Sequence, residues 1–151
     1  MQFGKIFHLG VVVRDLEEAL AIYTQELGYG PFEMGDGAFF SDKIINGQIG
    51  PGLPMKTAIY RGDGYEIELI EPTGPSIYMD YLREKGPGIH HVILETKEKY
   101  EDVVAMAERV SGRRPKLETK FPDGTPIVSY VDLEEKAGLL IEIGNSPEEG
   151  C

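Results

Sequence analysis

The sequence predicts an α+β domain built from two tandem β-α-β-β-β modules. Three observations carry the prediction. An apolar strand bearing a histidine opens each half, at His8 and at His91. A helical stripe closed by glycine follows each, and histidine and glycine lie 20 positions apart in the first half (8 to 28) and 21 in the second (91 to 112). Each half then ends on an apolar strand with an embedded glutamate, Glu68 between Ile67 and Leu69, and Glu142 between Ile141 and Ile143. Internal repetition of this kind outranks any single motif as a guide to architecture.

The elements follow in order. Ile6 to Val13 is apolar and β-branched and reads as a buried strand. Asp15 with Glu18 three residues later is a capping box. Leu16, Ala19, Leu20, Tyr23 and Leu27 recur at helical spacing, and Gly28 closes that helix as its C′ residue. From Tyr29 to Met55 the pattern dissolves into glycine and proline, with Phe39-Phe40 in the middle. This stretch reads as a long loop with room for one short strand, and such loops often serve as lids or binding loops. Thr57–Arg61 and Tyr65–Glu71 form a hairpin through Gly62-Asp63-Gly64.

After Pro72-Thr73-Gly74-Pro75, the stretch Ser76–Lys85 is a short helix with Ile77, Tyr78, Tyr81 and Leu82 on one stripe, ended by Gly86-Pro87-Gly88. The second half repeats the first. Ile89–Glu95 is a strand, Thr96 is placed to cap a helix, and Tyr100, Val103, Ala107 and Val110 form its stripe. Strands at 116–121, 126–133 and 139–144 follow, with a turn at Pro122-Asp123-Gly124. The chain therefore divides into a first module (1–72), a connecting helix (73–88), a second module (89–145) and an acidic, frayed tail (146–151), all within one structural domain.

A formal net charge of −11 argues against nucleic acid and anionic membranes, both of which need a Lys/Arg surface. No apolar run approaches the roughly 20 residues that span a bilayer, and the N-terminus lacks a signal-peptide core. One terminal cysteine, Cys151, offers no internal disulfide, so the chain reads as cytoplasmic.

Chemistry concentrates at four positions. A carboxylate inside an apolar strand is costly unless it is paired or bound to a cation. Two imidazoles and two carboxylates suit a divalent ion: zinc, nickel, cobalt, manganese or iron. Strand alternation leaves a solvent-facing alternative for each glutamate taken alone. Glu66 shares the parity of Glu68 and competes for its role, and His90 competes with His91. The repeat favours His91, because the helix in each half then starts at a similar distance.

With these residues in view, the chain resembles the vicinal oxygen chelate superfamily, which includes glyoxalase I, methylmalonyl-CoA epimerase, extradiol dioxygenases and bleomycin-resistance proteins. The resemblance rests on Phe7-His8-Leu9-Gly10-Val11-Val12-Val13 with Asp15-Leu16-Glu17-Glu18-Ala19, on Ile67-Glu68-Leu69-Ile70-Glu71-Pro72, on Gly88-Ile89-His90-His91-Val92, and on Gly138-Leu139-Leu140-Ile141-Glu142-Ile143. It covers about residues 5 to 145. The linker from Glu71 to His91 looks most like that of methylmalonyl-CoA epimerases.

The resemblance implies a mixed sheet from the two modules, curled around a metal-binding cleft. It implies His8, Glu68, His91 and Glu142 as metal ligands, with Glu142 the principal base and Glu68 the opposing acid or base. The expected function is an isomerase or epimerase moving a proton at a carbon next to a carbonyl, on a small-molecule substrate with adjacent oxygens. The alternatives are a glyoxalase I-type lyase and a metal-free binding protein of the bleomycin-resistance type. A dioxygenase is disfavoured because a fourth protein ligand crowds the positions needed by substrate and O₂. A homodimer fits a site within one chain or one shared between two. Phe39, Phe40, Tyr60 and Tyr78 suggest an aromatic substrate pocket, with ordinary core as the alternative, and Arg113-Arg114-Pro115-Lys116 offers charge for phosphates.

Overall fold

The computed structural model describes residues 1–144, so the acidic tail lies outside the described residues. Ten strands form one mixed sheet: β1 (Phe3–Val12), β2 (Glu33–Asp36), β3 (Ile44–Ile45), β4 (Gln48–Ile49), β5 (Met55–Arg61), β6 (Glu66–Pro72), β7 (Gly88–Thr96), β8 (Leu117–Lys120), β9 (Pro126–Leu133) and β10 (Leu139–Gly144). The helices are α1 (Leu16–Ala21), α2 (Ile77–Lys85), α3 (Tyr100–Ser111) and α4 (Glu134–Ala137). None among the described residues is long and apolar enough to cross a membrane.

The strand order is β2-β5-β6-β1-β7-β10-β9-β8-β3-β4. Its first four strands mirror the next four. In each half the opening strand runs parallel to the closing one, β1 beside β6 and β7 beside β10, and the halves meet where β1 and β7 pair antiparallel. The predicted α+β class is the observed one.

Local chemistry explains the boundaries. The Asp15 side chain accepts from Glu18 N and caps α1, as the capping box predicts. The helical turns α1 begins continue only as a wider π turn over Ile22–Glu26, and Gly28 takes the positive φ that ends the run. Ser76 caps α2 by accepting from Met79 N. Thr96 does not cap α3. The N-cap is Lys99, and the Thr96 hydroxyl instead accepts from Glu98 N in the turn before it. That turn uses the threonine locally, three residues before the cap position.

The stretch 29–55 is not a loop with one strand. It carries three short strands, and they go to opposite edges of the sheet: β2 pairs with β5, while the β3–β4 hairpin pairs with β8 of the second half. The hairpin thereby ties the first half of the chain to the second. Two apolar layers pack against α1 and α3, around Leu16, Leu69 and Ala58 in one half and Val103, Val131 and Ile141 in the other. A third cluster joins Val12 and Ile70 of the first half to Leu117, Tyr130 and Leu140 of the second, with Tyr78, Ile45 and Leu53 between them. The candidate site borders this shared core.

Candidate metal centre

Three strands bring three of the four candidate residues together around one glycine. Gly10 on β1 is the register partner of Glu68 on β6 and of His91 on β7. His8 stands two residues before Gly10 on the same face. The His8 and His91 rings stack with centroids 5.5 Å apart. Both are 1 % exposed. Gly10 makes this possible, because a β-carbon there would overlap the His91 imidazole.

The Nε2 atoms of both imidazoles point at Glu68, whose Oε1 lies 3.5 Å from that of His8 and 3.7 Å from that of His91. Each Nε2 is buried and has no hydrogen-bond partner among the described residues. An unpaired buried polar atom costs on the order of 1–3 kcal/mol, and two such imidazole nitrogens facing one carboxylate are the atom types from which a divalent cation could draw its ligands. His8, Glu68 and His91 form a compact group that could hold a metal ion. Glu142 lies beside this group, its Oε1 3.8 Å from His91 Nε2.

The opposite nitrogen of each imidazole is held as well. His8 Nδ1 donates to Glu66 Oε1 at 2.8 Å. Glu66 thus stands behind His8 while Glu68 stands in front of it, which separates two residues of equal parity. His91 Nδ1 lies 3.0 Å from His90 Nδ1. The two histidines share a face because of a bulge: Val11 pairs with Ile89 and Gly10 with His91, leaving His90 as the extra residue on β7.

The electrostatics follow from this packing. Burial works to lower the His8 pKa, but the hydrogen bond to Glu66 and the nearby charges of Glu68 and Glu142 overcome it and raise it to about 10. That much negative charge around one imidazole calls for a proton or a metal cation. Glu66 is held below the usual carboxylate range, first by its bond to His8. Burial raises Glu142 to about 8, against the attraction of His8 and with the help of Glu68. Burial pushes His90 down to about 4 and His91 well below its usual value. Tyr130, opposite Glu142 across β9 and β10, stacks on His91 at 4.6 Å and shares a 2.7 Å hydroxyl bond with Tyr78.

Other expected features are not brought to this place. Phe40 and Tyr78 pack in the shared core, Tyr60 packs against the layer that holds α1, and Phe39 is exposed. The four do not form one aromatic pocket. The basic run is taken up by carboxylates: Arg113 pairs with Asp132 and Glu135, Arg114 with Glu108 and Glu118, and Lys116 with Glu134. Glu66 enters from the sequence only as a competitor for the Glu68 position, Gly10 carries the signal of a glycine inside an apolar strand beside a candidate ligand, and Tyr130 carries none.

Solved structures share the fold. A Streptomyces coelicolor methylmalonyl-CoA epimerase variant in complex with 2-nitronate-propionyl-CoA is 20 % identical over 97 % of this chain and 99 % of its own, with a TM-score of 0.63. A methylmalonyl-CoA epimerase from Mycobacterium tuberculosis is 19 % identical over 95 % of this chain and 89 % of its own, with a TM-score of 0.61. A hypothetical protein from Bacillus halodurans is 20 % identical over 94 % of each chain, with a TM-score of 0.62. No curated protein matches the chain. Residues 7–125 match the family model described as Glyoxalase/Bleomycin resistance protein/Dioxygenase superfamily, and the chain belongs to that superfamily.

Proposed function

We propose that this chain is a divalent-metal-dependent isomerase or epimerase that moves a proton on a carbon next to a carbonyl. The observation that carries the reading is the convergence of two buried, unpartnered imidazole nitrogens on Glu68, with a second buried carboxylate, Glu142, beside them. His8, His91 and Glu68 would hold the ion, with Glu142 as the fourth ligand. The bound ion would supply positive charge beside a substrate oxygen as negative charge develops there, worth several kcal/mol.

The protein's own residues supply the proton movement. Glu142 is buried, and its conjugate acid lies near 8. Burial thus works to make it a stronger base than an ordinary carboxylate, while a bound ion would keep it ionised and ready to accept a proton. It stands at the edge of the compact group, 3.8 Å from His91 Nε2, where it would take the proton from one face of the substrate carbon. Glu68 would return a proton from the other face. Tyr130 packs against His91 beside Glu142 and fixes that side of the site.

We read the sheet as curled around this cleft, and the connectivity supports it. β2 and β3 stand eight places apart in the strand order, which in a flat sheet is roughly 38 Å at ~4.8 Å per strand. The chain from Asp36 to Ile44 spans at most about 28 Å at ~3.5 Å per residue.

Methylmalonyl-CoA, named for the similar epimerases, is the first substrate to test, with the glutathione hemithioacetal of a 2-oxoaldehyde as the lyase control. In D₂O, wild-type protein should place deuterium on C2 of methylmalonyl-CoA, and Glu142→Gln should slow this by at least about 10²-fold. Exchange unaffected by Glu142→Gln and by a chelator would defeat the proposal. Turnover of the hemithioacetal alone would move the same site to the lyase. A second reading rests on the compact two-histidine, one-carboxylate group, which also suits an oxygen-activating iron site. Catechol cleavage with Fe²⁺ and O₂ would favour it.

A further inference from the structure

We propose that His90 is a positioning residue that fixes the tautomer of His91 and so keeps the His91 Nε2 lone pair directed at the metal. This rests on the metal-binding reading above. At 3.0 Å, the two facing Nδ1 atoms share one hydrogen, since two N–H groups cannot point at each other across that gap. Two arrangements satisfy this. In one, His90 Nδ1–H donates to His91, and the remaining His91 proton sits on Nε2. In the other, His91 Nδ1–H donates to His90, and His91 Nε2 is free to bind a cation.

The second arrangement sends the His90 proton to its own Nε2, which needs a partner there. His90 lines a cavity of about 150 Å³ with Tyr81, Lys85, Ile89, Glu134, Gly138 and Leu140, and its Nε2 is not among the buried unpartnered nitrogens. Water in that cavity can accept the proton. Passing from the first arrangement to the second moves one proton from His91 Nε2 to Nδ1 and one from His90 Nδ1 to Nε2, so the pair carries the same number of protons in both.

The bulge is what builds this contact. Without an extra residue between Ile89 and His91, regular alternation would send the His90 ring to the opposite face. Tyr81, Tyr78 and Tyr130 surround the ring at steep interplanar angles, with centroids 5.0, 5.3 and 5.4 Å away. The site is thus asymmetric. His8 is oriented by a carboxylate, Glu66, and His91 by a neutral acceptor. Partners of this outer kind typically change metal affinity by about 10–100-fold.

Zinc affinity by chelator competition and ring-nitrogen NMR of the zinc-loaded, ¹⁵N-histidine-labelled protein test the assignment. His90→Phe keeps an aromatic ring without an acceptor and should weaken zinc about 10–100-fold. His90→Asn places a carbonyl oxygen at the same distance from the backbone as Nδ1 and should restore affinity to within about threefold of wild type. The spectrum of wild-type protein should show His91 protonated on Nδ1 and His90 on Nε2. A zinc-loaded wild type with His90 protonated on Nδ1, or equal zinc affinity for His90→Phe and wild type, overturns the inference while leaving the metal site standing. A wild type that binds no zinc overturns both.

Discussion

Gly10 and His91 face each other across β1 and β7, and the His91 imidazole occupies the space a side chain at position 10 would fill. The glycine is needed for space, because its backbone does not adopt a left-handed φ. Gly10→Ala should swing His91 away from Glu68. We expect zinc affinity to fall at least tenfold and stability to drop by about 1–3 kcal/mol, as for other overpacked sites. Chelator competition and urea denaturation on the same sample measure the two effects. Unchanged zinc affinity would show that His91 does not need its present position.

Glu66 supports His8 from behind. Glu66→Gln keeps the side-chain shape but removes the charge. It should weaken zinc by about 10–100-fold while the stoichiometry stays at one ion. Glu68→Gln removes a charged ligand and should weaken zinc further. If Glu66→Gln proves the more damaging change, the two glutamates have exchanged roles.

Metal binding should release protons. With pKa values of about 10 and about 8, both His8 and Glu142 carry a proton at pH 7 before the ion binds. Each must lose it as the ion binds, and the His90–His91 pair contributes none. Calorimetry in buffers of different ionisation enthalpy should give about two protons released at pH 7. The logarithm of affinity should rise with pH at a slope near two, fall to a slope near one between about 8 and 10, and level off above that. Loss of affinity on raising pH through 7 would give the wrong sign.

The Tyr78–Tyr130 hydroxyl bond is buried at 2.7 Å. Tyr130→Phe leaves the Tyr78 hydroxyl without its partner and should destabilise the fold by about 1–3 kcal/mol. Replacing both tyrosines with phenylalanine should recover part of that loss, giving a positive coupling in the double-mutant cycle. Strict additivity in denaturant midpoints would mean the bond contributes nothing.

Much of this site is legible in the sequence, for identifiable reasons. β9 and β10 are long enough for apolar patterning to set their limits, and both fall where the pattern places them. The His8–Gly28 and His91–Gly112 spacings locate the repeated strand and helix. Glu66 and Glu68 are harder, because residues two apart share a face and only the position of His8 between them divides their roles. His90 is harder still, since a bulge overrides the alternation from which faces are read. The strands β2, β3 and β4 are two to four residues long, and β2 and β4 are wholly exposed. Their pairing partners lie far along the chain, so no local pattern announces them.

The central claim is that His8, His91 and Glu68 hold one divalent ion with Glu142 beside it. Zinc stoichiometry together with X-ray absorption on the loaded protein tests it most directly. The account predicts one ion per chain, bound by two imidazole nitrogens at about 2.0–2.1 Å and carboxylate oxygen at about 2.0–2.2 Å, with binding lost in the His8→Ala, His91→Ala double variant. A folded wild type that takes up no ion, or an ion that remains bound in the double variant, would contradict it.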